Sequence, residues 1–151
     1  MTVQEVTIVE VGPRDGLQNE HVRVPTDVKV AFIAALASAG LPVIEGGAFV
    51  HPARVPQMAD SDAVCRAVRS DPSVVAAGTR LTALVPNLRG LERAMAAGLR
   101  EVGIFAAASD TFSRRNINQS IEASLVSYRA VCAGARAAGL RVRGYVSTAF
   151  G

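Results

Sequence analysis

Arg14 and Asp15 stand side by side in Val11-Gly12-Pro13-Arg14-Asp15-Gly16-Leu17-Gln18-Asn19-Glu20, straight after an apolar run. A guanidinium presents a rigid fork of donors to an oxyanion, and a carboxylate presents oxygens to a hard divalent cation. A cation and an anion at the mouth of a buried strand are costly unless they pair or bind something. The plainer alternative is a solvated turn, because Gly-Pro and Asp-Gly are both turn dipeptides. More polar groups follow the later apolar runs. Glu45 lies in Val43-Ile44-Glu45-Gly46-Gly47, and Asn87 follows Leu81 to Val85. Ser109, Asp110, Asn116 and Asn118 follow Val102 to Ala106, and Arg143, Tyr145, Ser147 and Thr148 come in and after the last run. Two carboxylates and an arginine gathered from neighbouring strand ends would suit Mg²⁺ or Mn²⁺ beside a developing oxyanion.

Such a gathering needs parallel strands, and the pattern supplies them. Apolar runs at Thr7–Val11, Val43–Glu45, Leu81–Val85, Val102–Ala106 and Val142–Val146 read as five strands. Between them, apolar residues recur at helical spacing: Val28, Phe32, Ile33 and Leu36, then Val64, Cys65 and Val68, then Leu91, Ala94 and Met95. Thr26 and Asp60 or Ser61 are N-cap candidates, and Gly40, Gly98 and Gly139 are stop signals. A polar loop is expected after the fourth strand, and Ser120 opens a longer helix through Leu125, Tyr128, Val131 and Cys132. Strands that are apolar almost throughout, alternating with helices, predict a parallel sheet covered by helices. Neither a Gly-x-Gly-x-x-Gly nor a Walker phosphate loop is present. In such folds ligands bind at the carboxyl ends of the strands. A closed (β/α)₈ barrel takes roughly 250 residues, so 151 residues make about half of one.

Composition narrows the classes. The chain is 50% hydrophobic and 19% charged, with a net charge of +3. That supports one folded domain over residues 1–151 and disfavours disorder. Charges of both signs are scattered without a basic block or interleaved aromatics, so no nucleic-acid partner is expected. No apolar stretch is long enough to span a bilayer, and Met1 to Glu10 alternates as a strand does rather than as a leader. The two cysteines, Cys65 and Cys132, read as reduced, packed thiols. The expectation is a soluble protein of a reducing compartment, the cytoplasm.

Several stretches, in order along the chain, carry a resemblance. They are Val11 to Glu20, Phe49-Val50-His51-Pro52, Val55 to Asp60, Pro86-Asn87-Leu88-Arg89-Gly90, Asn116 to Glu122 and Arg143 to Ser147. Together they resemble the 3-hydroxy-3-methylglutaryl-CoA lyase family of the DRE-TIM metallolyase superfamily, in its N-terminal half. The resemblance implies a TIM barrel and a retro-Claisen cleavage to acetoacetate and acetyl-CoA with a divalent metal, Mg²⁺ or Mn²⁺. It implies that Asp15 ligates the metal, that Arg14 holds the thioester carbonyl and steadies the enolate, and that Glu45 orients Arg14. It places Gln18 and Tyr145 on the acyl pocket and Asn116 and Ser120 near the CoA arm. Its partners would be an acyl-CoA substrate and either a second copy of the chain or the missing C-terminal half. The family's His-x-His pair, a further metal-binding Asn and a cysteine loop belong to that second half and have no counterpart here. Gly46-Gly47-Ala48 replaces a threonine-serine pair, which predicts an opened pocket floor. It also leaves a related Claisen-type synthase or aldolase as an alternative, beside a non-catalytic half-barrel.

Overall fold

The computed structural model describes residues 6–150. Five strands, β1 (Val9–Glu10), β2 (Val43–Ala48), β3 (Arg80–Leu84), β4 (Glu101–Ala107) and β5 (Arg141–Ser147), form one sheet in sequence order. Every neighbouring pair is parallel, with Val9 opposite Val43, Glu45 opposite Thr82, Thr82 opposite Glu101 and Glu101 opposite Arg141. Consecutive parallel strands need crossovers, and the helices supply them. They are α1 (Thr26–Ser38), α2 (Ser61–Ser70), α3 (Pro72–Ala77), α4 (Leu88–Ala96), α5 (Asp110–Ile117) and α6 (Ile121–Ala137). The sheet curls as half of a (β/α)₈ barrel, the architecture expected from the sequence.

The two faces of the sheet differ. Ile44, Leu81, Ala83, Val85 and Val102 alternate onto the helix side and pack with Ile33, Val64, Val68, Leu91 and Val131. Each fully buried aliphatic side chain there contributes about 1.5–3 kcal/mol. The inner face carries a much smaller cluster of Ala48, Met58 and Leu84, flanked by Leu17, Phe105 and Tyr145. Glu45, Thr82 and Glu101 are also buried on that side, so the inner face is where the polar chemistry lies.

Four local expectations change. Thr26 does not cap α1; Pro25 takes that position, and the Thr26 hydroxyl donates instead to Asp60 Oδ2 at 2.7 Å. Asp60 precedes α2 without a side-chain cap bond, because its carboxylate is committed to Lys29 and Thr26. The segment after β4 is not a loop throughout: Ser109 caps the two-turn helix α5, which ends at Asn118 in the left-handed region. Helix α3 went unread because Asp71 alone separates it from α2; its carboxylate accepts from Ser73 N at 2.9 Å, with Pro72 opening the helix.

Candidate active site

The segment after β1 turns at once into a short π-helical turn, Gly12–Gly16, in which Arg14 N and Asp15 N both donate to Val11 O. This turn projects Arg14 over the carboxyl end of β2. Arg14 Nε donates to Glu45 Oε1 at 2.6 Å, and Arg14 Nη1 donates to Asp15 Oδ1 at 2.6 Å. Tyr145, on β5, donates its hydroxyl to Glu45 Oε2 at 2.8 Å. Groups from the first, second and fifth strand ends thus meet on one carboxylate, 100 residues apart in sequence at the widest. Glu45 is 0% exposed, Arg14 14% and Asp15 58%. The cluster therefore runs from a buried acid, through a largely buried guanidinium, to a carboxylate facing solvent.

Electrostatics fix the protonation of Tyr145. Burial, and then the negative charge of Glu45 that its hydroxyl contacts, push the phenol well above its usual range. At neutral pH it is a hydrogen-bond donor and not a base. Both Glu45 oxygens are then occupied, while two of the five N–H donors of Arg14 are engaged by carboxylates. The remaining guanidinium edge can receive an oxyanion.

Neighbouring residues hold this arrangement. Gly103, on β4 between β3 and β5, sits directly under the pair: a Cβ there would lie 3.0 Å from Tyr145 Cε2 and 3.2 Å from Glu45 Oε2. A lone glycine inside an apolar strand was the available signal for such a close approach. The buried Lys29 donates to Gln57 O at 2.5 Å and to Asp60 Oδ1 at 2.6 Å, and Gln57 Nε2 reaches Glu20 O and Val22 O. This network ties the chain leaving the Arg14 turn to α1 and α2. Burial alone would raise the Asp60 pKa, but the bonds from Lys29 and Thr26 outweigh it and hold the carboxyl below its usual range.

The other expected positions separate from the cluster. Gln18 is half-buried just past the turn and Asn116 is exposed on α5. The Ser120 hydroxyl caps α6 by accepting from Ala123 N at 3.2 Å. Asn87 likewise caps α4 through Gly90 N. Arg143 does not reach the rim; its Nη2 lies 3.5 Å from Glu101 Oε1, toward the opposite end of the sheet. Gly46-Gly47 does not open a pocket floor. A Cβ on Gly46 would come within 2.8 Å of Leu81 Cδ1, and one on Gly47 within 2.6 Å of Ser61 Oγ. Both glycines serve close packing at a register shift between Glu45 and Ala48.

The HMGL-like family model matches residues 5–151. The chain belongs to the HMGL-like family. It is 52% identical to the mitochondrial hydroxymethylglutaryl-CoA lyase of Rattus norvegicus over 98% of this chain and 44% of that protein. It is 51% identical to the cytoplasmic 3-hydroxy-3-methylglutaryl-CoA lyase of Danio rerio, over 97% of this chain and 42% of that one. The HMG-CoA lyase structure from Bacillus subtilis superimposes with a TM-score of 0.90 at 44% identity, over 97% of this chain and 48% of that one. An HMG-CoA lyase from Acinetobacter baumannii, solved with coenzyme A and 3-methylmalate, gives 0.88 at 31% identity, over 100% of this chain and 48% of that one. The chain thus spans about half the length of these HMGL-like relatives, which matches its half-barrel. Two relatives carry the compartments mitochondrial and cytoplasmic in their names, and no helix among the described residues is long and apolar enough to cross a membrane.

The divalent cation that the resemblance implies needs about six donors. Glu45 has none to spare, and Asp15 has one carboxylate open to solvent. No three His, Cys, Asp or Glu among the described residues come together as a metal-binding group. These residues alone do not hold such an ion.

Proposed function

We propose that this chain supplies the arginine-carboxylate part of a lyase active site that cleaves a carbon–carbon bond in 3-hydroxy-3-methylglutaryl-CoA. The observation that carries this reading is the Arg14 guanidinium clamped between buried Glu45 and exposed Asp15, with Tyr145 closing the far oxygen of Glu45. The reaction removes the proton of the tertiary hydroxyl and breaks the bond to the thioester's α-carbon. The hydroxyl carbon becomes the ketone of acetoacetate. The bonding pair moves into the thioester as an enolate, which is protonated at carbon to give acetyl-CoA. The barrier lies in the charge that grows on the thioester oxygen. Arg14 can donate two N–H groups to that oxygen, worth about 3 kcal/mol or more in a water-poor site. Glu45 keeps the guanidinium in one orientation before substrate arrives, and Tyr145 keeps Glu45 in one rotamer. Such preorganisation is what makes a hydrogen bond catalytic.

In this reading Asp15 is the chain's one metal ligand, and the rest of the coordination comes from beyond the matched half. Gln18 lies toward the acyl group, and Asn116 with Ser120 toward the CoA arm. Residues 1–151 act as one partial barrel domain, completed by a C-terminal half or by a second copy. The relatives' compartments leave either mitochondrion or cytoplasm, and the cytoplasm is the reading adopted. The test is a chimera in which this chain precedes the second half of the Rattus norvegicus enzyme. Cleavage of 3-hydroxy-3-methylglutaryl-CoA in Mg²⁺ or Mn²⁺ is expected, with Arg14→Gln lowering kcat by about 10²-fold or more. A folded chimera without cleavage, or Arg14→Gln with full kcat, would overturn the assignment. Cleavage only of other 3-hydroxyacyl-CoAs would favour the related synthase or aldolase.

A further inference from the structure

At the end of the sheet opposite Arg14, the first residues of three adjacent strands are Arg80, Glu101 and Arg141. A cavity of about 270 Å³ opens there, lined by Arg69, Arg80, Arg100 and Arg141 with Glu101 as the only acid. Four arginines against one acid among the lining residues is a strong excess of positive charge for one small cavity. Glu101 cannot neutralise them. Its oxygens lie 3.9 Å from Arg80 Nη1 and 3.7 Å from Arg141 Nε, with Arg143 Nη2 a further 3.5 Å away. These are ion pairs at a distance and not hydrogen bonds.

The donors are correspondingly unspent. Each arginine carries five N–H groups, yet no side-chain hydrogen bond from Arg80, Arg100 or Arg141 to a described residue is formed. The buried Arg143 Nε, beside Glu101 but outside the cavity lining, is also without a partner among the described residues. Arg69 is held in place: it donates to Ala97 O at 3.4 Å and lies across Gly98, where any side chain would collide with it. Val74 and Leu99 form an apolar wall that thins the water around these charges. Forked donors around a half-apolar hollow match the planar oxygens of carboxylates and phosphoryl groups.

We propose that this cavity binds a small oxyanion carrying two or more negative charges, either a phosphoryl anion or a di- or tricarboxylate. Its size admits a ligand of pyrophosphate or citrate dimensions and not a coenzyme. Strand β4 spans Glu101–Ala107, so the site lies roughly 20 Å from the catalytic rim, and the proposal stands independently of the lyase reading.

The test is calorimetric titration of the 151-residue chain with phosphate, pyrophosphate, citrate and acetate at about 0.15 M NaCl, where exposed charges are well screened. Saturable binding of one pyrophosphate or citrate per chain is expected, with acetate silent; the tighter of the two identifies the phosphoryl or carboxylate class. Arg80→Ser with Arg141→Ser should weaken it by at least about tenfold, the value of one lost charge-assisted contact. The single variant Arg100→Ser, at an exposed position, should weaken it several-fold and carries the comparison if circular dichroism shows the double variant unfolded. Arg14→Gln should leave it unchanged. Absence of saturable binding by any polyanion, or equal affinity in the folded variants, would overturn the proposal. So would an equal loss in an Arg14→Gln variant that circular dichroism shows folded.

Discussion

Replacing Glu45 by Gln tests the central cluster at almost constant shape. Glu45 accepts from Arg14 Nε at 2.6 Å and from Tyr145 Oη at 2.8 Å while fully buried. An amide has one carbonyl oxygen, so it can accept from only one of these donors. Its NH₂ then meets either Arg14, donor against donor, or the Tyr145 oxygen, in a neutral bond that replaces the charge-assisted one. One hydrogen bond to a charged group is lost, about 1.5–3 kcal/mol, and a largely buried guanidinium loses its buried counter-charge. The two effects together give roughly 3–5 kcal/mol, the usual cost of breaking a buried ion pair from one side. With a urea m-value near 2 kcal/mol/M, the unfolding midpoint should drop by about 1.5–2.5 M.

Asp15→Asn provides the internal contrast. Asp15 makes an equally short bond to Arg14, but it is 58% exposed. Screening by water limits that pair to about 1 kcal/mol or less. The assay is urea unfolding followed by circular dichroism, in a double-mutant cycle of Glu45→Gln with Arg14→Met. Coupling of about 2 kcal/mol or more is expected. If Glu45→Gln and Asp15→Asn cost the same, or the cycle shows no coupling, burial does not govern this cluster and the orientation role of Glu45 fails with it.

The remaining expectations concern titration and reactivity. Asp60 is held below its usual pKa, so its pairing with Lys29 stabilises the fold fully above about pH 4–5 and is lost as pH falls through the lowered value; Asp60→Asn should flatten this part of the acid-unfolding curve. The chain has two tyrosines, and an ultraviolet titration should find neither ionising near 10. Burial pushes Tyr128 up to about 12, Tyr145 lies higher still, and Glu45→Gln should bring Tyr145 down. Burial also pushes the Cys65 thiol up to about 12, so a thiol reagent at pH 8 should modify Cys132 in the folded chain and Cys65 only after denaturation.

How far the sequence led depends on the range of the interaction. The βα alternation was legible because a parallel sheet buried on both faces demands continuous apolar runs, and β2, Val43–Ala48, is buried at every position. Arg14, Asp15 and Glu45 were legible as a site because strand ends share one rim. The partner of Tyr145 was not, since a hydroxyl at position 145 carries no mark of an acid 100 residues earlier. Nor was the role of Lys29, which sits on a helix face that reads as solvent until the Gln57 carbonyl and Asp60 close over it. Gly46 and Gly47 misled for a related reason. Loss of a side chain reads as empty space, whereas Leu81 and Ser61 already fill it.

The same geometry explains why the cluster is built from both margins of the half-barrel. Glu45 belongs to β2, Arg14 follows the edge strand β1, and Tyr145 belongs to the other edge strand, β5. A flat sheet of strands about 4.8 Å apart would set β2 and β5 roughly 14 Å from one another. A tyrosine hydroxyl meets the Glu45 carboxylate across that gap because the sheet curls, and Gly103 leaves the intervening strand bare beneath them. The Glu45–Tyr145 bond is therefore a strut across the concave face as well as part of the site. A substitution that fills position 103 would press on the acid, the phenol and the sheet's curvature together.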